Sequence, residues 1–294
     1  MRHLILPFLL IFHAFASAQE LHTFSNGEVA DASEVNANFE ALRQKIISLE
    51  ERLASLEPTA SCLTLSGQDD AVLLGTTENL FELTNELTLT AWVRLEGACL
   101  YGHWCSIFSA EHSNSSVFSW NQGFALLLGG GETHFAASPS ATTVTDLQGV
   151  WGTVGVPESE WAHVAITRSS TSWTLYINGE VDVQEPATSI SNFRFDGGGW
   201  NQSETYIGKR RPNGTGSSIN EYFPGDISRV GVWGRPLSGE DIQSMYAETF
   251  DYVASNPAGF WPLNETSGSV AKDLSGFGND GVLQGNARWS EDCF

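Results

Sequence analysis

Four tryptophans, Trp104, Trp120, Trp151 and Trp200, stand in Gly-rich or Asn-rich, loop-like stretches, and the side-chain amides of Asn121, Gln122 and Asn201 lie next to two of them. An aromatic face takes up the C–H side of a sugar ring, and a planar amide both donates to and accepts from its hydroxyls. These residues form the candidate carbohydrate-binding set. The other role open to such tryptophans is to plug the end of a β structure. Catalysis has weaker support. Glu158 with Glu160 and Glu180 with Asp182 are closely spaced carboxylates, but each pair sits at the start of a predicted strand, where solvated turn carboxylates are the expectation. His103, His112 and His134 lack metal-ligand spacing, and no Gly-x-Ser-x-Gly elbow accompanies the many serines. The sequence predicts no catalytic residue, no required cofactor and no enzymatic activity.

The elements that must position these residues are short β-rich runs bounded by Gly, Asn, Asp or Pro. They cover 62–65, 71–74, 87–95, 106–109, 124–128, 161–168, 172–177, 180–183, 205–207 and 225–233. Asn178 and Gly179 between two of them signal a type I′ hairpin. Only 238–246 reads as helix, with Ser238 as N-cap and Asp241 at its third helical position. The predicted class is all-β, a two-sheet antiparallel sandwich with one core over residues 58–294. The four cysteines allow three disulfide connectivities in an exported chain. Their positions favour Cys99 with Cys105 across one hairpin end, and Cys62 with Cys293 across the two ends of the domain; the second pairing requires the terminal strands to be neighbours.

Three segments precede that domain. Residues 1–18, with Arg2, an apolar run and Ala16, Ser17 and Ala18, read as a cleavable secretory signal too short to span a membrane. After the 19–34 segment, residues 35–57 carry a heptad seam through Val35, Phe39, Leu42, Ile46, Leu49, Leu53 and Leu56. With Phe39, Ile46 and Leu53 at a and Leu42, Leu49 and Leu56 at d, the g residues Lys45 and Arg52 precede the e residues Glu50 and Glu57 by five. That is the charge pattern of parallel, in-register chains. The seam predicts self-association as a dimer or trimer, against the alternative of an amphipathic helix folded back on its own β domain. The mixed a positions do not choose between the two oligomers.

Net charge is −21, and loss of Arg2 with the leader makes it −22. Nucleic acid and anionic membrane surfaces are thereby excluded as partners, and no other segment is long and apolar enough to insert into a bilayer. The carboxylates are scattered, which fits solubility better than an acidic binding tail. Sequons at Asn114, Asn201, Asn213 and Asn264 matter only in a source that glycosylates them.

Leu87–Val93 (LTLTAWV), Trp161–Ala165 (WAHVA), Leu175–Gly179 (LYING), Tyr206–Gly208 (YIG), Phe223–Ile227 (FPGDI), Val232–Ser238 (VWGRPLS), Trp261–Leu263 (WPL) and Asp273–Gly276 (DLSG) occur in this order. The set resembles the laminin G-like jelly roll of the concanavalin A-like lectin and glucanase superfamily over nearly all of residues 61–290. The segment 24–39 resembles a leader found before coiled coils in secreted bacterial proteins. The first resemblance implies a jelly roll with Trp92, Trp161, Trp233 and Trp261 in its core and a structural His163. It leaves function open, because the superfamily holds lectins, adhesion modules, glycosidases, lyases and inert spacers. Its retaining glycosidases carry a Glu-x-Asp-x-x-Glu run, which is absent here, and basic residues are too sparse for lyase chemistry. Gly67-Gln68-Asp69-Asp70-Ala71-Val72 is similar to the family turn that holds a structural calcium, making Asp69 and Asp70 candidate ligands. Where relatives read Ile-Asp-Glu-Val this chain has Ile227-Ser228-Arg229-Val230, so Ser228 replaces an acidic candidate; the other role for Asp69 or Asp70 is to cap a turn.

The reading that joins these features is a secreted, extracellular or cell-surface bacterial protein, displayed in several copies and recognising a glycan without turning it over. A structural or protein-adhesive display module is the alternative, and a diverged carbohydrate-active enzyme the third.

Overall fold

The computed structural model describes residues 32–56, 61–75, 80, 86–97, 104–112, 122–129, 132–138, 148–187, 204–210 and 221–293. They divide into two units, 1–57 and 58–294. The first contributes one helix, α1 (Ala32–Leu56), which contains the heptad seam and starts ahead of the expected 35–57. Its Phe39, Leu42 and Ile46 are 67%, 41% and 55% exposed. The side chains of Leu49, Leu53 and Leu56 lie outside the described residues, as does the expected signal 1–18. No described helix is long and apolar enough to cross a membrane.

The second unit is built from strands. In chain order they are β1 (Cys62–Ser66), β2 (Ala71–Gly75), β3 (Leu87–Leu95), β4 (Cys105–His112), β5 (Gln122–Gly129), β6 (Glu132–Ser138), β7 (Gln148–Gly155), β8 (Trp161–Arg168) and β9 (Ser172–Ile177). They continue as β10 (Glu180–Pro186), β11 (Glu204–Ile207), β12 (Lys209–Arg210), β13 (Glu221–Tyr222), β14 (Pro224–Trp233), β15 (Gly259–Trp261), β16 (Val270–Ala271), β17 (Gly281–Gln284) and β18 (Arg288–Ser290). One antiparallel sheet runs β10-β9-β8-β3-β14-β1-β18, with β15 also on β14; the other runs β16-β17-β2-β11-β4-β5-β6-β7. The expected two-sheet antiparallel jelly roll is the fold.

Central β3 shows why the sheets stack. Leu87, Leu89, Ala91, Val93 and Leu95 point into the core between the sheets, joined by Phe108, Phe124, Ile166, Ile227 and Trp261. Its alternate residues Thr88, Thr90 and Trp92 face the other way and are buried too. What covers that side includes α2 (Gly239–Tyr246). Ser238 and Asp241 form the predicted capping box, and Ile242 and Met245 pack with Ala165, Tyr176, Trp233 and Leu237. Thr88 ties the layers together: its hydroxyl donates to the Arg235 carbonyl and accepts from the Leu237 N–H, both at 2.8 Å. The hairpin β9–β10 turns at Asn178 and Gly179 with φ of 51° and 81°, as a type I′ turn requires.

Cys62 and Cys293 are disulfide-bonded with Cα atoms 6.0 Å apart, and β1 pairs with β18, which is the adjacency this bridge needs. Cys105 is also disulfide-bonded. Its expected partner Cys99 lies outside the described residues.

Several strands were not anticipated. β6 and β7 are rich in Ala, Gly and Ser, and β15 to β18 are two to four residues long, so neither group carries enough β-branched alternation to register in isolation. The expectation that Trp151 and Gln122 sit in loops is corrected here: Trp151 lies within β7 and Gln122 opens β5.

Candidate functional site

Among the described residues, β7 is the edge strand of its sheet and pairs with β6 alone. Val150 points into the core, so Trp151 is turned to the outer face, where it is 49% exposed. In register it follows Ser106, Leu127 and His134 across β4, β5 and β6, one row of positions on that face. Trp104, the residue just before β4, meets it: the ring centroids are 5.5 Å apart with planes inclined by 39°. The two strands are separated by β5 and β6, on the order of 14 Å along the sheet. Both rings therefore reach over the face to touch. Leu127 occupies a position between them and is buried although it lies outside the core between the sheets.

The end of β7 is fastened to the opposite sheet. Asp182 on β10 accepts the Thr153 N–H at 3.2 and 2.9 Å and its hydroxyl at 2.6 Å. These bonds satisfy a backbone donor of the edge strand. Trp151 and Thr153 are two residues apart on β7, so the carboxylate is anchored two residues along the edge strand from Trp151.

Of the predicted sugar-binding residues, the fold brings together Trp104 and Trp151. Trp120, Asn121, Trp200 and Asn201 lie outside the described residues, as does the side chain of Gln122. The sequence offered no signal for Asp182 in this role, because its partner Thr153 is 29 positions away.

The other candidates have structural surroundings. Asp70 is buried; its Oδ2 accepts the Ser66 N–H at 2.7 Å and its Oδ1 the Asn286 N–H at 2.6 Å. Burial acts to raise its pKa, but those hydrogen bonds outweigh it and hold the carboxyl below its ordinary value. Asp69 is exposed. Both Asp70 oxygens thus serve the turn itself, and no group of three or more His, Cys, Asp or Glu suited to a metal occurs among the described residues. Asp226 accepts from Arg94 Nε at 2.9 Å and from the Thr64 hydroxyl at 2.5 Å, so it is committed to an ion pair. His163 is fully buried beneath Trp92, ring centroids 5.4 Å apart, and neither ring nitrogen has a hydrogen-bond partner. Burial, reinforced by Arg229, pushes its pKa down to about 3, so it is a neutral packing residue near neutral pH. Glu158 and Glu160 are exposed on the segment before β8.

Comparison with known proteins agrees with the fold. Residues 66–243 match the laminin G-type model described as the concanavalin A-like lectin/glucanases superfamily. The chain belongs to this superfamily. The chain is 28% identical over 125 residues to the Sushi, von Willebrand factor type A, EGF and pentraxin domain-containing protein 1 of Rattus norvegicus, and 29% identical to that of Mus musculus. Each match covers 41% of this chain and 3% of the longer protein. Among solved structures it is similar to one from Bacteroides ovatus provisionally described as a carbohydrate binding protein, with TM-score 0.55 and 18% identity, covering 79% of this chain and 60% of the other. At that identity the likeness is one of fold.

Proposed function

We propose that this protein is a secreted, non-catalytic recognition module that binds extracellular carbohydrate at the Trp104–Trp151 pair and is displayed as a parallel dimer or trimer through α1. One observation carries the reading: two tryptophans, one on β7 and one just ahead of β4, meet on the outer face of a sheet, and one of them stays half exposed. A monomer's core has no need for such an arrangement, whereas a sugar ring stacks on it. The exposed Phe39, Leu42 and Ile46 of α1 support self-association. Copies held side by side turn a weak single-site contact into useful avidity. The Cys62–Cys293 disulfide supports an oxidising, extracellular setting. The Asp70 turn, closed by backbone donors, is read as working without calcium.

The test is a panel of neutral and charged polysaccharides screened against the intact protein and its Trp151→Ala variant, following binding and the appearance of new reducing ends. Binding that Trp151→Ala abolishes, without product, is the expected result. Silence of the intact oligomer across the panel would instead establish the structural or protein-adhesive display module. Product release would revive the enzyme.

A further inference from the structure

We infer that Asp182 sets the ligand class of the aromatic platform: an uncharged, hydroxyl-rich sugar, to the exclusion of uronic and other acidic glycans. The inference rests on the proposed carbohydrate-binding role of Trp104 and Trp151. Asp182 is tied by three contacts to Thr153, two residues from Trp151 on the same strand, a separation of about 7 Å that a bound sugar can span. A carboxylate has about four acceptor sites, and Thr153 engages only part of that capacity. The remainder is suited to accept from hydroxyl donors of a sugar stacked on Trp151, and charge-assisted bonds of that kind are the stronger ones.

The same carboxylate repels a ligand that carries its own. No cation offsets it nearby in sequence: β7 reads QGVWGTVG and β10 reads EVDVQEP, neither with Lys, Arg or His. Glu180 and Glu185 on β10 are exposed and add to the negative field. The whole chain, at −21, adds more. An acidic sugar would meet this corner with its charge unpaired, while a neutral one loses nothing.

The experiment titrates a neutral oligosaccharide and its uronic-acid counterpart against the full protein, Asp182→Asn, Thr153→Val and Trp151→Ala. The wild type is expected to prefer the neutral ligand. Asp182→Asn should weaken neutral binding by about tenfold or more and narrow the preference. Thr153→Val, which keeps the charge, should retain the preference. In the wild type, added salt should also narrow it, a readout that needs no substitution. Equal wild-type affinity for both ligands, or a preference unmoved by both Asp182→Asn and salt, overturns the inference while leaving the platform intact. If Trp151→Ala binds like the wild type, or no glycan binds at all, the platform itself fails and the inference with it.

Discussion

Arg94 and Asp226 face each other in register on β3 and β14 and form an ion pair with Nη2 and Oδ2 2.8 Å apart. They lie in a cross-strand row that runs from Trp161 through Arg94 and Asp226 to Thr64 and Arg288. Thr64 donates to the free oxygen of Asp226, Arg94 Nη2 donates to the Asp292 carbonyl, and the guanidinium lies 5.4 Å from the Trp161 ring centre. The row thus joins the middle of the sheet to the chain end beside Cys293.

Removing one member of that pair should cost more than removing both. Asp226→Ala leaves a largely buried guanidinium with only the more exposed Glu96 and Asp292 carboxylates and should cost about 3 kcal/mol. The double variant Arg94→Met, Asp226→Leu should lose much less. Urea unfolding of the two proteins checks this, and equal losses would show that the pair is not coupled.

Acid should weaken the fold through His163. Its folded pKa of about 3 lies below the ordinary 6.5, so the unfolded chain takes up the proton first. The stability His163 contributes is complete above the unfolded value and is lost as pH falls from 6.5 toward 3. The slope contributed by this one group approaches about 1.4 kcal/mol per pH unit. Unfolding curves between about pH 7.5 and 5.5, before carboxylates titrate, should show this slope developing in the wild type and lack it in His163→Gln. A slope shared by both proteins would assign it elsewhere.

Calcium and chelator should leave the melting temperature unchanged, because backbone donors already close the turn at Asp70. Asp70→Ala, by contrast, strands the Ser66 and Asn286 N–H groups and should cost about 2 to 4 kcal/mol. A chelator-sensitive melt in the wild type would restore the metal.

The α1 seam should assemble the chain. Sedimentation equilibrium of the mature protein is expected to return a dimer or trimer, and Ile46→Asp a monomer with the β domain still folded. A monomeric wild type at micromolar concentration would refute the display model.

What the sequence determined by itself was local or periodic. The type I′ turn needs only Asn178 and Gly179 in succession, the capping box only Ser238 and Asp241, and the helix only its repeat. Strands such as β3, β8 and β9 declared themselves because their apolar residues lie close together in sequence and must be hidden whatever they pack against. β6 and β7 were silent: their small residues acquire strand structure only from the pairing of β5 with β6 and of β6 with β7. The site was decided at that same level. Trp104 and Trp151 were legible as candidates, but contact between them follows from the order of four strands, and Asp182 reached Thr153 only when β7 met β10. Local propensity acts over a few bonds of the chain. Contacts between distant residues are selected by burial of the whole core, and no short stretch of sequence encodes that sum.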